Sequence, residues 1–209
     1  MNRLLNALGD WNPQLFRELK GRFTRKNVAI ALGVSLSAQL LMYLFYMAAL
    51  PDPLARNSYN RYCTGFNDEY WRATYQCLSS GGDWLINWQL WHFDLFIGLT
   101  IVGMGILLII GSHLITADLA KEEKRGTLGF VRLSPQPVHK IILGKLLGVP
   151  SLIYLGIGAA LPFHLLIGLN AQIALPWIGM VDLVAIAACG TAFSVAALWS
   201  FIGREFFGG

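Results

Sequence analysis

The chain has 209 residues, of which 55% are hydrophobic and 13% are charged, whereas about 25% of a typical soluble chain is charged. Long windows contain almost no charge, which is typical of a membrane protein and excludes a disordered chain, a disulfide-rich mini-protein and a conventional cytosolic enzyme. The formal net charge is +4, and its meaning depends on where the basic residues lie.

Residues 1–26 precede the first hydrophobic window, and residues 12–27 have the pattern of an amphipathic helix. Asn12 suits a helix N-cap, and Pro13 suits the first helical position. The apolar positions at helical spacing are Leu15, Phe16, Leu19 and Phe23, and the basic residues Arg17, Lys20, Arg22 and Arg25 line the other faces. We expect an interfacial helix that lies against anionic cytoplasmic lipid. The alternative, a solvated basic tail, does not account for the helical spacing.

Four hydrophobic windows are long enough to cross a bilayer, which requires about 20 apolar residues. They cover residues 27–50, 93–117, 138–169 and 176–202. The first is too long for the core of a signal peptide, so we expect it to remain as an anchor. The third contains Pro150 and Pro162 and is predicted to be one long span kinked at one of them, because membrane helices tolerate proline. The predicted fold is all-α, a polytopic bundle of four transmembrane helices (27–202) with an N-terminal interfacial helix.

The distribution of lysine and arginine predicts how the spans are oriented. Thirteen of these residues lie before the first window, between residues 118 and 145, or in the tail 203–209, and three lie in the segment 51–92. Both termini and the loop 118–137 are therefore expected in the cytoplasm, in a bacterial-type plasma membrane, and the segment 51–92 outside the cell. The basic character then reflects topology and not binding to nucleic acid.

The predicted exterior segment 51–92 is rich in tyrosine and tryptophan and contains Cys63 and Cys77. On the oxidising side of a membrane these two cysteines are expected to form a disulfide, with two unpaired thiols as the alternative. The aromatic residues are expected to anchor a short helix at the outer interface. No metal ligand set is expected, since His92 alone does not complete one, and Cys189 in the fourth window is expected to be a packed small residue.

The loop 118–137 carries the clearest indication of an interaction surface. Its charged first part breaks at Gly126, and a short apolar helix is predicted over residues 127–133 before a Ser-Pro-Gln-Pro sequence. The candidate docking residues are Glu122, Arg125, Gly126, Thr127, Leu128, Phe130, Val131, Leu133 and Pro135. Exposed apolar side chains between turn-forming residues favour docking to a partner over simple packing beneath the bundle.

Several polar and small residues within the windows are weaker candidates. Asp182 and His164 could line a pathway, although for Asp182 contact with interfacial water is the favoured interpretation. Asp118 is expected to cap the cytoplasmic end of the bundle. Gly144 and Gly148 have the spacing of a close helix contact, whose partner is open and could be a second copy of the chain. No G-x-S-x-G or H-E-x-x-H motif occurs, so no catalytic residue is expected.

Taken together, these features make the chain similar to the permease subunit of ABC transporters, specifically of the type-2 exporter family. Three stretches carry the resemblance: residues 12–25 with Arg17-Glu18-Leu19, residues 122–135 with Arg125-Gly126-Thr127, and Ile142-Leu143-Gly144-Lys145-Leu146-Leu147. The chain departs from the family pattern at Lys124, where glutamate is usual, and at Gly129-Phe130-Val131, where Glu-Leu-Leu is usual. The family typically has six spans, whereas four are found here, so we expect a permease truncated after its fourth span, with a naturally shorter relative as the alternative.

The resemblance implies that the loop 118–137 is a coupling helix that docks on a separate P-loop ATPase subunit, and that two permease copies form a dimer. ATP and Mg²⁺ would be bound by the partner, because this chain lacks G-x-x-x-x-G-K-[ST]. We therefore expect no enzymatic activity, cofactor or metal in this chain itself. The alternative function is a non-transport accessory or assembly subunit of a membrane complex. Nothing in the sequence selects a substrate.

Overall fold

A computed structural model describes residues 9–52, 60–67, 74–80, 83–126 and 137–207, and most of these described residues lie in helices. Every described element longer than three residues is helical, which confirms the all-α class. Four of the described helices are long and apolar enough to cross a membrane. The protein is therefore a multi-pass membrane protein.

Helix α1 (Pro13–Arg22) is the predicted amphipathic helix. The Asn12 side-chain oxygen caps it by accepting a hydrogen bond from the Leu15 N–H at 3.0 Å. The Thr24 hydroxyl then accepts from the Asn27 N–H at 3.2 Å at the start of the next helix. The Thr24 bond satisfies an N–H group at the start of that helix, which favours a new helix there and not a continuation of α1.

The remaining helices follow in chain order. They are α2 (Arg25–Ala48), α3 (Trp88–Gly105), a π-helix (Ile106–Gly111), α4 (Ser112–Lys124), α5 (Val138–Gly148), α6 (Ser151–Asn170) and α7 (Leu175–Phe207). The first span is α2, and the second is the continuous helix from Trp88 to Lys124. The fourth is within α7, which extends beyond the predicted window at both ends.

The third hydrophobic window was predicted as one long span kinked at Pro150 or Pro162, and its helix is interrupted at the first of these two positions. It is divided into α5 and α6, with the break at Val149 and Pro150. Pro150 has no N–H to donate and its ring crowds the preceding turn, which explains the break. Pro162 instead lies inside α6. The 20 residues of α6 form the third span by themselves, so α5 is a separate helix that precedes it.

The segment before the second span contains short strands where a short helix was expected. Strand β1 (Gly65–Asn67) pairs antiparallel with β2 (Thr74–Gln76), and β3 (Ser79–Ser80) pairs with β4 (Asp83–Trp84). Phe66, Thr74 and Tyr75 belong to the aromatic and β-branched residue types that favour strands. The expectation of a helix is therefore wrong for the described part of this segment.

Cysteines anchor this strand-containing segment. Cys63 and Cys77 form the predicted disulfide, and both are buried. Cys189 is a free, buried thiol. The two cysteines are 14 residues apart in sequence. Their disulfide therefore restricts the conformations of the unfolded chain substantially.

The chain divides into two compact units, each with its own buried apolar cluster. One comprises residues 1–35, 102–159 and 180–209, and the other residues 36–101 and 160–179. In the first unit the cluster contains Ile115, Leu119, Val149, Cys189 and Phe193. In the second it contains Tyr62, Trp91, Leu95, Phe96, Ile167 and Ile178.

Removing the disulfide should lower stability without changing the fold. Replacing both Cys63 and Cys77 by serine is expected to lower the free energy of unfolding by about 3 kcal/mol, because a loop of this length gains that much conformational freedom. Equilibrium unfolding in mixed detergent micelles measures the loss. In the unreduced, unfolded wild type, thiol titration should find only Cys189. Three titratable thiols before reduction would contradict the pairing.

Candidate functional site

Lys145 on α5 is the centre of a buried ion cluster. Its side chain is 7% exposed, and its ammonium group lies 2.8 Å from Glu18 Oε1, 2.6 Å from Asp118 Oδ2 and 2.7 Å from Glu122 Oε1. An ammonium group has three N–H donors and no acceptor, so three carboxylates match it. Burying this charge without them would cost several kcal/mol.

Two arginines from α1 complete the cluster. Arg22 is partly buried and contacts Asp118 at 2.8 Å and Glu18 at 3.3 Å. Arg17 is 60% exposed and lies 3.1 Å from Glu122. Three carboxylates thus face three cations, and the cluster is close to neutral. The exposed Arg17 pair contributes least, because water screens it.

The surroundings of Lys145 favour its charged form. Burial lowers the pKa of Lys145, but its hydrogen bonds with Asp118, Glu122 and Glu18 raise it by more. The pKa of Lys145 therefore lies above its usual value, and the group stays protonated at neutral pH.

Three elements that are distant in sequence meet at this cluster. Glu18 comes from α1, Asp118 and Glu122 come from α4, and Lys145 comes from α5. Asp118 and Glu122 are four residues apart, so they project from one face of α4. The expected role of Asp118 as a simple cap is replaced by contacts with Lys145 and Arg22.

Two glycines allow α1 to lie close against α5. A Cβ atom at Gly144 would lie 2.9 Å from Gln14 Cβ, and one at Gly148 would lie 2.5 Å from Glu18 Cβ. The glycine spacing noted in the sequence therefore serves a contact within the chain. The buried Asn12 side chain also donates a hydrogen bond to the Lys140 carbonyl at 2.7 Å, so the cap of α1 also ties it to α5.

The three carboxylates also form a set that could hold a metal ion, because one oxygen from each lies within 4.8 Å of the others. Carboxylate oxygens are typical ligands of Mg²⁺ and Ca²⁺. However, the Lys145 ammonium already contacts all three residues. The geometry is that of an ion-pair cluster, and Lys145 takes the place that a cation would need.

The structure describes only part of the predicted docking loop. Glu122 belongs to the ion cluster, Arg125 follows the end of α4, and Gly126 has a φ of 69°, a conformation that favours glycine. The candidates Thr127, Leu128, Phe130, Val131, Leu133 and Pro135 lie outside the described residues.

The residues predicted for the interfacial helix do not share one environment. Leu15 is buried, close to where side chains at Gly144 and Gly148 would be. Phe23 is 43% exposed. The single apolar face expected from spacing is thus split between contact with α5 and exposure. Pro13 begins the helix as predicted, and Phe16 and Leu19 are partly buried.

The two pathway candidates differ in their surroundings. The His164 ring is buried and stacks on Phe96 with centroids 4.3 Å apart. Its Nε2 lies 2.9 Å from the Thr100 hydroxyl. His164 therefore has the contacts of a packed core residue. Asp182 lies half-buried on α7.

A second ion pair, not identified from the sequence, lies in the other unit. The exposed Arg61 contacts the buried Asp94 carboxylate at 2.7 Å. Burial and this carboxylate raise the pKa of the adjacent Tyr62 to about 12. Arg61 thereby connects the disulfide-bonded segment to the second span.

Comparison of the chain with protein-family models, curated proteins and solved structures found no match.

Replacing Lys145 should destabilise the protein strongly. In Lys145→Gln the buried carboxylates lose their ammonium partner, and the expected loss is about 3–5 kcal/mol of unfolding free energy. The matched control Arg17→Gln removes an exposed cation from the same cluster and should cost at most about 1 kcal/mol. Equal losses in the two variants, measured by unfolding in mixed micelles, would contradict the central role of Lys145.

The stability difference between wild type and Lys145→Gln should also depend on pH. A raised folded-state pKa means that the stability contributed by Lys145 is complete below its unfolded-state pKa of about 10.4. It is lost only as the pH rises through the higher folded-state pKa. The stability difference between wild type and Lys145→Gln should therefore stay constant from about pH 7 to pH 9 and shrink at higher pH.

A side chain at Gly148 should separate α1 from α5. Gly148→Ala places its Cβ against Glu18, and we expect a loss of about 1–3 kcal/mol. Gly158→Ala is the control, because nothing lies within 4 Å of its Cβ position; it should be neutral or stabilising by up to about 1 kcal/mol. Thermal unfolding of both variants in detergent tests the difference.

Proposed function

We propose that the chain is the permease subunit of an ATP-driven ABC transporter of the exporter type, which moves its substrate across a bacterial-type plasma membrane together with a separate ATPase. The observation that carries this proposal is the ion cluster. Asp118 and Glu122 lie in the first part of the loop 118–137, and Lys145 lies soon after its end. The two flanks of the candidate docking loop are thus bonded to each other.

The cluster also connects the three stretches that resemble the exporter family. Residues 12–25 supply Glu18, the loop stretch supplies Glu122, and residues 142–147 supply Lys145. Motifs separated by more than 100 residues in sequence therefore contribute to one contact. This supports the proposal that the three stretches act together as one functional site.

The proposed mechanism is mechanical coupling. ATP and Mg²⁺ bind to the partner ATPase, whose closure displaces the loop. If the helices on either side of the loop were not in contact, the loop could move without moving them. Here α4 and α5 are bonded through Lys145 and packed on α1, so they move as one unit. The displacement then reaches the second and third spans as a rigid-body change.

The proposed orientation places the termini and the loop 118–137 in the cytoplasm. It is supported by the thirteen basic residues on this side against three in the segment 51–92. The Cys63–Cys77 disulfide supports it independently, because disulfides persist on the oxidising side of a membrane. Two permease copies, as in the family that the chain resembles, complete the proposed transporter.

Docking of the loop can be tested by co-purification. Phe130→Asp combined with Leu133→Asp should abolish recovery of a P-loop ATPase with the tagged chain, because a charged residue cannot enter an apolar groove without loss. The control is Leu78→Asp with Leu85→Asp, which changes two exposed leucines of the proposed exterior segment. Retained ATPase in the loop variant would refute the docking role. Recovery of a membrane complex without any ATPase would favour an accessory subunit.

A further inference from the structure

The basic residues around α1 fall into two groups. Arg17 and Arg22 contact carboxylates of the ion cluster. Lys20, Arg25 and Lys26 are exposed and form no salt bridge with any described residue. The sequence alone places all five in one basic stretch, and only the contacts separate them.

The geometry of α1 explains this separation. Glu18 and Arg22 are four residues apart and lie on the face that meets α4 and α5. Lys20 lies two residues from both Glu18 and Arg22, which corresponds to a rotation of about 200° around the helix axis. Its side chain therefore projects away from the cluster. Its ammonium lies 6.0 Å from the Phe16 ring centroid.

Two large aromatic side chains are exposed, one at each end of α1. Trp11 is 52% exposed and Phe23 is 43% exposed. Phe23 lies two residues before Arg25, where the first span begins. Exposed cations and aromatic rings at the end of a membrane span match the headgroup region of a bilayer, where aromatic residues are enriched.

We propose that Lys20, Arg25 and Lys26 form a binding surface for anionic phospholipid headgroups, with Trp11 and Phe23 at the headgroup level. The argument is charge complementarity. The one other carboxylate in residues 9–30 besides Glu18 is Asp10, which is exposed, so the surface keeps a positive excess. Phosphodiester groups of the lipid supply the missing counter-charge next to the span. This proposal does not depend on transport or on an ATPase.

The test measures lipid binding by the full chain purified in a neutral detergent. Phosphatidylglycerol or phosphatidylcholine is titrated in, and bound lipids are counted by native mass spectrometry. The wild type should bind phosphatidylglycerol more tightly than phosphatidylcholine, and added salt should reduce the difference. The variant K20Q/R25Q/K26Q should bind phosphatidylglycerol at least about tenfold more weakly, whereas K20R/R25K/K26R should retain binding.

The control K121Q/K124Q/R125Q removes the same number of exposed positive charges from the end of α4. It should change phosphatidylglycerol affinity by less than about twofold. Equal loss in this control would mean that only net charge matters and would overturn the proposal. Unchanged affinity in K20Q/R25Q/K26Q would also overturn it, and weaker ATPase recovery by that variant would then assign the surface to an acidic protein partner.

Discussion

The need to neutralise one buried ammonium group governs the packing of α1, α4 and α5. Lys145 is buried on a short helix, so three carboxylates must reach it. Glu18 reaches it only because α1 lies close to α5, and that approach requires the absence of a side chain at Gly148. The cap at Asn12 fixes the same two helices at the other end of their contact. Charge, helix capping and the glycine positions thus depend on one another.

This interdependence limits how these helices can move. Separating α4 from α5 would break the contacts of Lys145 with Asp118 and Glu122, whereas displacing the whole group keeps every pair intact. Concerted movement therefore costs far less than local opening. The break at Pro150 lies just beyond this group and separates α5 from the third span. Movement of the cluster can reach the membrane spans through that break, through the continuous second helix, or through the short connection from α1 to α2.

Features determined by local chemistry were predictable from the sequence. Asn12 and Pro13 mark the start of α1, the hydrophobic windows mark the spans, and the cysteine pair indicates its disulfide. Contacts between distant residues were not predictable. Glu18 is 127 residues from Lys145, and no helical spacing relates the two. Pro150 and Pro162 also look alike within one hydrophobic window, although only Pro150 breaks the helix.

Some basic residues on the proposed cytoplasmic side are paired with carboxylates in the folded protein, and others remain exposed. This difference relates membrane topology to packing. During insertion, before tertiary contacts form, Lys145, Arg17 and Arg22 are unpaired, so all thirteen basic residues on the proposed cytoplasmic side contribute to orienting the chain. After folding, these three are neutralised by carboxylates of the cluster. Only the remaining positive charge can then attract lipid or a partner. Arg61 is likewise paired with Asp94 in the opposite segment. The charges that orient the folding chain and those that face its surroundings once folded are thus overlapping but different sets.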